Sequence, residues 1–384
     1  MIIGIDISSI PYGTGVSNYT LNLVHHLLKL DPINHYKLFF SSLRQPLPPE
    51  ITSLKSKKNV TIYHYRLPPT FLEFVWHRLR AFPIEMFIGI CDVFHTWDWL
   101  LPPTQNARLI TTVNDLVPFL YPRWQHPTTV GVYQRRWQLT PKAVAHYICI
   151  SEATRTDLLN LFGAINPSHT SVIYDAPEEK YFAFNKLTQA QQKAKIAQLK
   201  KIYGLSHFVL AQGTREPRKN LNRLISAFIN FKKKHPDTQI ELAITGKYGW
   251  GSDITHPQHK YLKILGYIPE KDMVTLHASA ACLAYPSLYE GFGLPLVKSM
   301  AVGTPVLTSN VSCMPEIMGN AGVLVNPKSV SSITQGFEKI LHNYSLRRQL
   351  ISKGLAQASK FHWDITARAT LEVYKKVNML PKIK

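Results

Sequence analysis

Thirteen short apolar runs recur along the chain, most of them followed by a longer stretch with helical spacing, and this alternation limits the fold more than any other feature. Such a pattern is the mark of strand-helix-strand units, whose parallel strands need a crossover helix between them. In the first half MIIGIDI, HYKLFFSS, NVTIYHY, VFHTW, ARLITTVND, HYICIS and TSVIY read as strands. Between the first two, SNYTLNLVHHLLKL puts Leu21, Val24, Leu27 and Leu28 on one helical face. The pattern loosens over 176–207, a polar, Lys- and Gln-rich stretch that reads as a linker leading into an exposed helix, and it restarts with HFVLAQG, IELAITG, YLKILGY, ACLAYPS, TPVLTS and GVLVNP. The expectation is therefore an α/β protein of two doubly wound domains, 1–185 and 186–360, with the carboxyl ends of both sheets meeting at a shared cleft.

Composition fits that reading. At 384 residues the chain exceeds what one core usually fills, and 45% hydrophobic against 18% charged residues describes a globular protein. Asp6 interrupts the apolar opening, so a buried strand is expected there and not a signal peptide. No run approaches the roughly 18 to 20 apolar residues of a membrane span. Cys91, Cys149, Cys282 and Cys313 are far apart and form no ligand pattern, which suits reduced, buried thiols in a cytoplasmic protein. The net charge of +20 is uneven: residues 1–180 hold 16 Lys and Arg against 13 Asp and Glu, so +17 falls on the remainder. A field of that sign attracts nucleic acid, anionic lipid or phosphorylated small molecules alike.

Three turns between a strand and a helix can carry chemistry. In PYGTGVSNYT, Gly13 and Gly15 precede a helix N-terminus, an arrangement that admits an anion or simply makes a tight turn; the full G-x-G-x-x-G fingerprint is absent. In AQGTREPRKNLNRL, Gly213, Arg215, Arg218 and Lys219 cluster where a diphosphate would find a guanidinium fork and a point charge, although a solvated basic turn is the plainer alternative. In YPSLYEGFGLPLVKSM, Glu290 stands beside Gly291 and Gly293 ahead of a helix. There a carboxylate can accept from sugar hydroxyls, or serve only as an N-terminal helix charge.

Together with FHTWDWLLPP, TTVNDLVPFLYP, CISEATRTDL, ITGKYGW, LGYIPEKDM and AVGTPVLTSNVSCMPEIMGNAGVLVNP, these blocks resemble the retaining, nucleotide-sugar-dependent glycosyltransferases of the GT-B fold, the large family that includes sucrose synthases and bacterial mannosyltransferases. The resemblance implies two Rossmann-like domains facing across a cleft, the second holding the donor and the first presenting the acceptor, with residues 361–384 a helix crossing back to the first. It assigns Arg218 and Lys219 to the donor diphosphate and Glu290 to the transferred sugar. The amides of Phe292, Gly293 and Leu294 line sugar and phosphate, Gly15 faces the diphosphate from the other domain, and Gly213 and Lys247 belong to the donor site as well. Glu316 falls in packing near the nucleotide. No cofactor and no metal are implied, the nucleoside-diphosphate sugar being a substrate.

Two positions depart from the family. Its second glutamate, which grips the ribose, corresponds to Lys298, and its His-Asp pair appears as Asn114-Asp115. An ammonium donates only, so the departure predicts a donor affinity roughly ten- to hundredfold weaker, a direct Glu290–Lys298 pair as an alternative, and tighter donor binding if Lys298 becomes glutamate. Asn114 keeps a donor and an acceptor for a sugar hydroxyl. His95, at a strand end, reads equally as an acceptor-site residue or a satisfied structural histidine, and Asp115 as a site residue or a turn cap. RLPPTFLEFVWHRLRAF interleaves Phe71, Phe74, Trp76 and Phe82 with Arg78 and Arg80, which suits a helix packed on its own sheet or one lying against a membrane. The function expected is transfer of a sugar, first of all mannose from GDP-mannose, to a glycan or lipid-linked acceptor of surface polysaccharide, by a protein peripheral to the membrane. The rival is a catalytically silent relative that binds a nucleotide sugar, glycan or partner enzyme. Nucleic acid is not an expected partner, since no aromatic platform accompanies the basic half.

Overall fold

The structure, a computed structural model, describes residues 1–97, 99–249, 254 and 259–380; Asp98 of FHTWDWLLPP and Trp250 of ITGKYGW lie outside them. The chain divides into two compact units, Met1–Asp175 with Trp363–Lys384, and Ala176–His362. The first unit thus ends at Asp175, not near 185, and the helix Trp363–Met379 belongs to it. The stretch expected as a linker is two helices, Glu179–Phe184 and Gln189–Tyr203. Buried Tyr181 and Phe184 tie the first helix to the second unit, a pair of contacts too sparse to register against the polar background.

In the first unit a parallel sheet holds β1 Ile2–Asp6, β2 His35–Ser41, β3 Val60–Tyr65, β4 Val93–Thr96, β5 Arg108–Val113, β6 Val144–Cys149 and β7 Thr170–Val172 in the order β3-β2-β1-β4-β5-β6-β7. In the second, β8 Phe208–Gln212, β9 Glu241–Thr245, β10 Leu262–Gly266, β11 Cys282–Tyr285, β12 Val306–Ser309 and β13 Gly322–Val325 run β10-β9-β8-β11-β12-β13, again all parallel. Each apolar run read as a strand contains or overlaps one. Because helices cover the faces of such sheets, their inner strands are largely apolar, which is why short runs were visible at all.

The helix Gly15–Leu30 shows how sequence sets a boundary. Thr14 caps it, its Oγ1 accepting from Ser17 N at 3.3 Å while Ser17 Oγ accepts from Thr14 N at 3.0 Å. Its buried stripe is Leu23, Val24, Leu27 and Leu28, so Leu23 takes the inward place expected for Leu21. Phe39, Trp76, Phe94, Trp137 and Tyr147 are among the residues of the first core, and Leu224, Phe228, Phe231, Leu242 and Phe337 among those of the second. All four cysteines are buried and in no disulfide. In the RLPPTFLEFVWHRLRAF segment Leu72, Val75 and Trp76 are buried, whereas Phe71, Phe74, Leu79 and Phe82 are exposed, so it packs on its sheet with one face and offers a second apolar face to solvent. Among the described residues no helix is long and apolar enough to cross a membrane.

Candidate functional site

In the second sheet the chain steps outward from β8 to β9 and β10, then returns to the other side of β8 for β11, β12 and β13. The reversal lies between β8 and β11, and parallel sheets of this kind bind ligands beyond the carboxyl ends of the strands at such a point. Arg218 and Lys219 follow β8, and Glu290 follows β11.

Those three side chains meet. Lys219 Nζ lies 2.7 Å from Glu290 Oε1, Arg218 Nη1 pairs with Glu290 Oε2, and Arg218 Nε lies 2.6 Å from Glu216 Oε1. Leu288 N donates to Arg218 O at 2.8 Å, which ties the basic turn to the glycine turn through the main chain. Lys219 Nζ also donates to Tyr285 OH at 2.5 Å. Ser312 holds the backbone of Glu290 from both sides, its Oγ donating to Glu290 O at 2.6 Å and accepting from Glu290 N at 3.3 Å. Two cations and two carboxylates therefore form one nearly buried and formally neutral cluster.

Burial alone would push the Glu290 carboxyl up, but the adjacent Arg218 and Lys219 charges hold it down at about 2. Lys219 is held below the usual lysine range, first by burial and then by Arg218, with Glu290 and Glu216 opposing. The cluster thus keeps Glu290 ionised as an acceptor, while Arg218, 18% exposed at its side chain, is the more open of the two cations.

Glycines shape the floor. A Cβ on Gly246, after β9, would fall 1.9 Å from Gly213 O, so only glycine lets these two backbones approach. Gly213 in turn lies against the Lys219 stem, where an added Cβ would meet Cε at 3.0 Å. Gly293, at φ 81°, caps the helix Leu294–Ala301 from the left-handed region. Phe292 is buried and packs edge-on against Phe361 at 5.6 Å between centroids, and Leu294 is half-buried at the helix start. Lys247 is exposed, its Nζ 4.8 Å from the Tyr267 ring centroid. Glu316 lies in the first turn of the helix Met314–Met318.

Lys298 is not paired with Glu290, which corrects the expectation of a direct contact: Glu290 lies outside the helix that carries Lys298. The Lys298 side chain, 6% exposed, places Nζ 3.0 Å from Glu178 Oε2, 3.7 Å from Glu270 Oε1 and 4.9 Å from the Tyr181 ring centroid. Burial works against its charge, yet Tyr181, Glu178 and Glu270 hold the ammonium above the usual lysine range. Glu178, which burial would raise, is drawn below the usual carboxylate range by Lys298. Glu216, Glu178, Tyr285 and Ser312 were not singled out from sequence; only Glu216 had a local signal, standing two residues before Arg218.

The first unit carries its own candidates. Gly15 opens the Gly15–Leu30 helix, exposed, with nothing within 4 Å of an added Cβ. Asn114 is half-buried directly after β5, and Asp115 caps the next turn by accepting from Val117 N at 3.1 Å. His95 is the satisfied structural histidine and not a substrate residue: it has no exposure, its Nδ1 lies 2.6 Å from Tyr374 OH and its Nε2 2.8 Å from Thr112 Oγ1. Burial pushes its pKa down to about 3, so it is neutral at physiological pH. Among the described residues no group of three His, Cys, Asp or Glu side chains could hold a metal ion.

Known proteins match both halves. Residues 13–176 fit the family model for Glycosyltransferase Family 4, and residues 192–357 that for Glycosyl transferases group 1. O-antigen chain mannosyltransferase B of Escherichia coli is 26% identical over 94% of this chain and 96% of that protein. Sucrose-phosphate synthase from Thermosynechococcus elongatus superposes with a TM-score of 0.73 at 18% identity, covering 98% of this chain and 99% of its own. Anabaena Alr3699/HepE, solved in complex with UDP and glucose, gives 0.68 at 17% identity, covering 98% and 100%. With one matched model on each doubly wound sheet and the basic and glycine turns joined at the second sheet's reversal, the chain belongs to the glycosyltransferases of GT-B fold.

Proposed function

We propose that this glycosyltransferase moves mannose from GDP-mannose to a glycan or lipid-linked acceptor in surface-polysaccharide assembly, with retained anomeric configuration. The single observation that carries the donor assignment is the Arg218–Lys219–Glu290 cluster at the reversal of the second sheet. A diphosphate at Arg218 and Lys219 leaves with its developing charge stabilised by cations already fixed in place, which is the electrostatic form of catalysis. On the retaining route the acceptor oxygen bonds to the anomeric carbon on the face the diphosphate leaves, and its proton passes to the departing phosphate oxygen. Glu290, held ionised, accepts from a hydroxyl of the transferred sugar. Gly213, Lys247 and the amides of Phe292, Gly293 and Leu294 complete the donor site in the second unit, and in the first unit Asn114 serves an acceptor hydroxyl.

Mannose is the first choice because the Escherichia coli relative, aligned along nearly its full length, is an O-antigen chain mannosyltransferase. Incubation with GDP-mannose, UDP-glucose and GDP, read by calorimetry and by release of free sugar, tests the reading. Binding of GDP-mannose with slow release of mannose supports it. No binding of any nucleotide sugar refutes it, and binding with no release above background favours the silent relative. Exposed Phe71, Phe74, Leu79 and Phe82 beside exposed Arg78 suit contact with an anionic membrane surface. Co-sedimentation with phosphatidylglycerol vesicles, lost in a Phe71→Ser/Phe74→Ser variant, is the expected result.

A further inference from the structure

The pairing of β11 with β12 ends where Tyr285 faces Thr308, and the segment beyond it, which carries Glu290, is held by side chains instead. Thr308 Oγ1 donates to Tyr285 O at 2.8 Å, Asn220 Nδ2 to Pro286 O at 2.9 Å, Ser309 Oγ to Ser287 O at 2.5 Å and Ser312 Oγ to Glu290 O at 2.6 Å. Three of these donors lie on β12 or just after it, so the end of that strand runs on beside the Glu290 turn as a row of hydroxyls. We infer that Ser312, the last of the row, is a positioning residue for sugar transfer, fixing the Glu290 main chain so that the carboxylate keeps its place on the transferred sugar. The inference rests on the transferase reading above and deepens it, since that reading gives Glu290 a task but not the means of staying in place.

The backbone of Ser312 is the first ground. Among the described residues two non-glycine positions of the second unit lie in the left-handed region, Asn220 at φ 58° and Ser312 at φ 56°, and both bond the segment 286–290. Asparagine tolerates that conformation through its short amide, whereas for serine it is strained and glycine would adopt it freely. Strain of this kind persists only where surrounding contacts hold it, and the contact that glycine could not make here is the hydroxyl's.

The two bonds of that hydroxyl are the second ground. Ser312 Oγ donates to Glu290 O and accepts from Glu290 N at 3.3 Å, so one atom sets the peptide planes on both sides of Glu290. With both planes fixed the Cα–Cβ direction is fixed as well, and the carboxylate falls between Arg218 and Lys219. The cations do not depend on Ser312 in the same way. Arg218 also pairs with Glu216, and Lys219 Nζ also donates to Tyr285 OH. Loss of the Ser312 hydroxyl therefore loosens the sugar end of the site and spares the phosphate end. Misplacing a group there by about 1 Å costs up to roughly a hundredfold in rate.

Ser312→Gly and Ser312→Ala, compared with wild type as intact proteins, test this. Glycine relieves the strain as it removes the hydroxyl, so its Tm should stay within about 4 °C of wild type, whereas alanine keeps the strain and should melt lower. Both variants should release mannose from GDP-mannose at least about tenfold more slowly than wild type, while binding GDP as wild type does by calorimetry. Hydrogen exchange, read by mass spectrometry over the peptide that contains Glu290, should quicken in both, and that measurement needs no donor. Slow release at wild-type stability and wild-type GDP affinity is a combination that a serine serving the fold alone would not give. Wild-type release with unchanged exchange in Ser312→Gly overturns the inference. So does a GDP affinity that falls as far as the release rate, because Ser312 would then support the whole cluster and not its sugar end. A wild type that binds no nucleotide sugar overturns the donor reading itself, and the role of Ser312 in transfer with it.

Discussion

Lys298→Glu is the substitution on which family pattern and structure disagree. By pattern it restores a ribose-binding carboxylate and tightens donor binding. By structure it removes the ammonium that sits 3.0 Å from Glu178 and puts a third carboxylate beside Glu178 and Glu270. Removing one member of a buried pair costs about 3–5 kcal/mol, because the other is left charged and dry. Glu270 adds little to that figure, being half exposed and screened. For a unit of this size each kcal/mol lowers Tm by roughly 2–4 °C, so a loss of about 6–20 °C is expected. The assay is thermal and urea unfolding of wild type, Lys298→Glu, Glu178→Lys and the double exchange. The exchanged pair should recover at least half of the loss, a coupling that two independent positions would not show. Lys298→Glu as stable as wild type, or binding GDP more tightly, would refute the reasoning and return Lys298 to the ribose.

Arg218→Ala removes a charge-assisted contact worth about 1.5–3 kcal/mol, so GDP affinity should fall ten- to hundredfold by calorimetry, and unchanged affinity would place the diphosphate elsewhere. Glu290 is held at about 2 against an ordinary 4.5, so its contribution of about 3 kcal/mol is present above pH 4.5 and is lost as pH falls from 4.5 toward 2. Acid unfolding followed by circular dichroism should be shallower in that window for Glu290→Gln than for wild type. Gly246→Ala drives a methyl into Gly213 O, which should cost about 1–3 kcal/mol or more in urea melts and weaken GDP binding through Lys219. A neutral result there would mean that the two turns are not in contact.

The strands were legible because each is a short apolar run bounded by turn residues, and the Gly-Arg-Lys and Glu-Gly-Phe-Gly turns because glycine and charge cluster locally at strand ends. What escaped was long-range. Glu178 stands 120 residues from Lys298, in a stretch whose composition reads as linker, and no periodicity announces a pairing across that distance. The His95 environment depends on Tyr374 from a helix 279 residues onward, so the sequence left two roles open where burial and two hydrogen bonds leave one. Ser312 escaped for a different reason: it acts on the main chain of Glu290, and a serine at φ 56° carries no signature in a string of letters.

The uneven charge also takes on a different meaning. A basic second half suggested a positive pocket, yet Arg218 and Lys219 are matched by Glu216 and Glu290, and Lys298 by Glu178, so neither group leaves an uncompensated cation at the carboxyl ends of the strands. Exposed lysines instead crowd the helix Gln189–Tyr203 and the last turn of Leu221–Lys234. Charges there act over about a Debye length, some 8 Å at physiological salt, enough to draw in an anion but not to orient it. The partners of the paired groups hold each of those long side chains in one place.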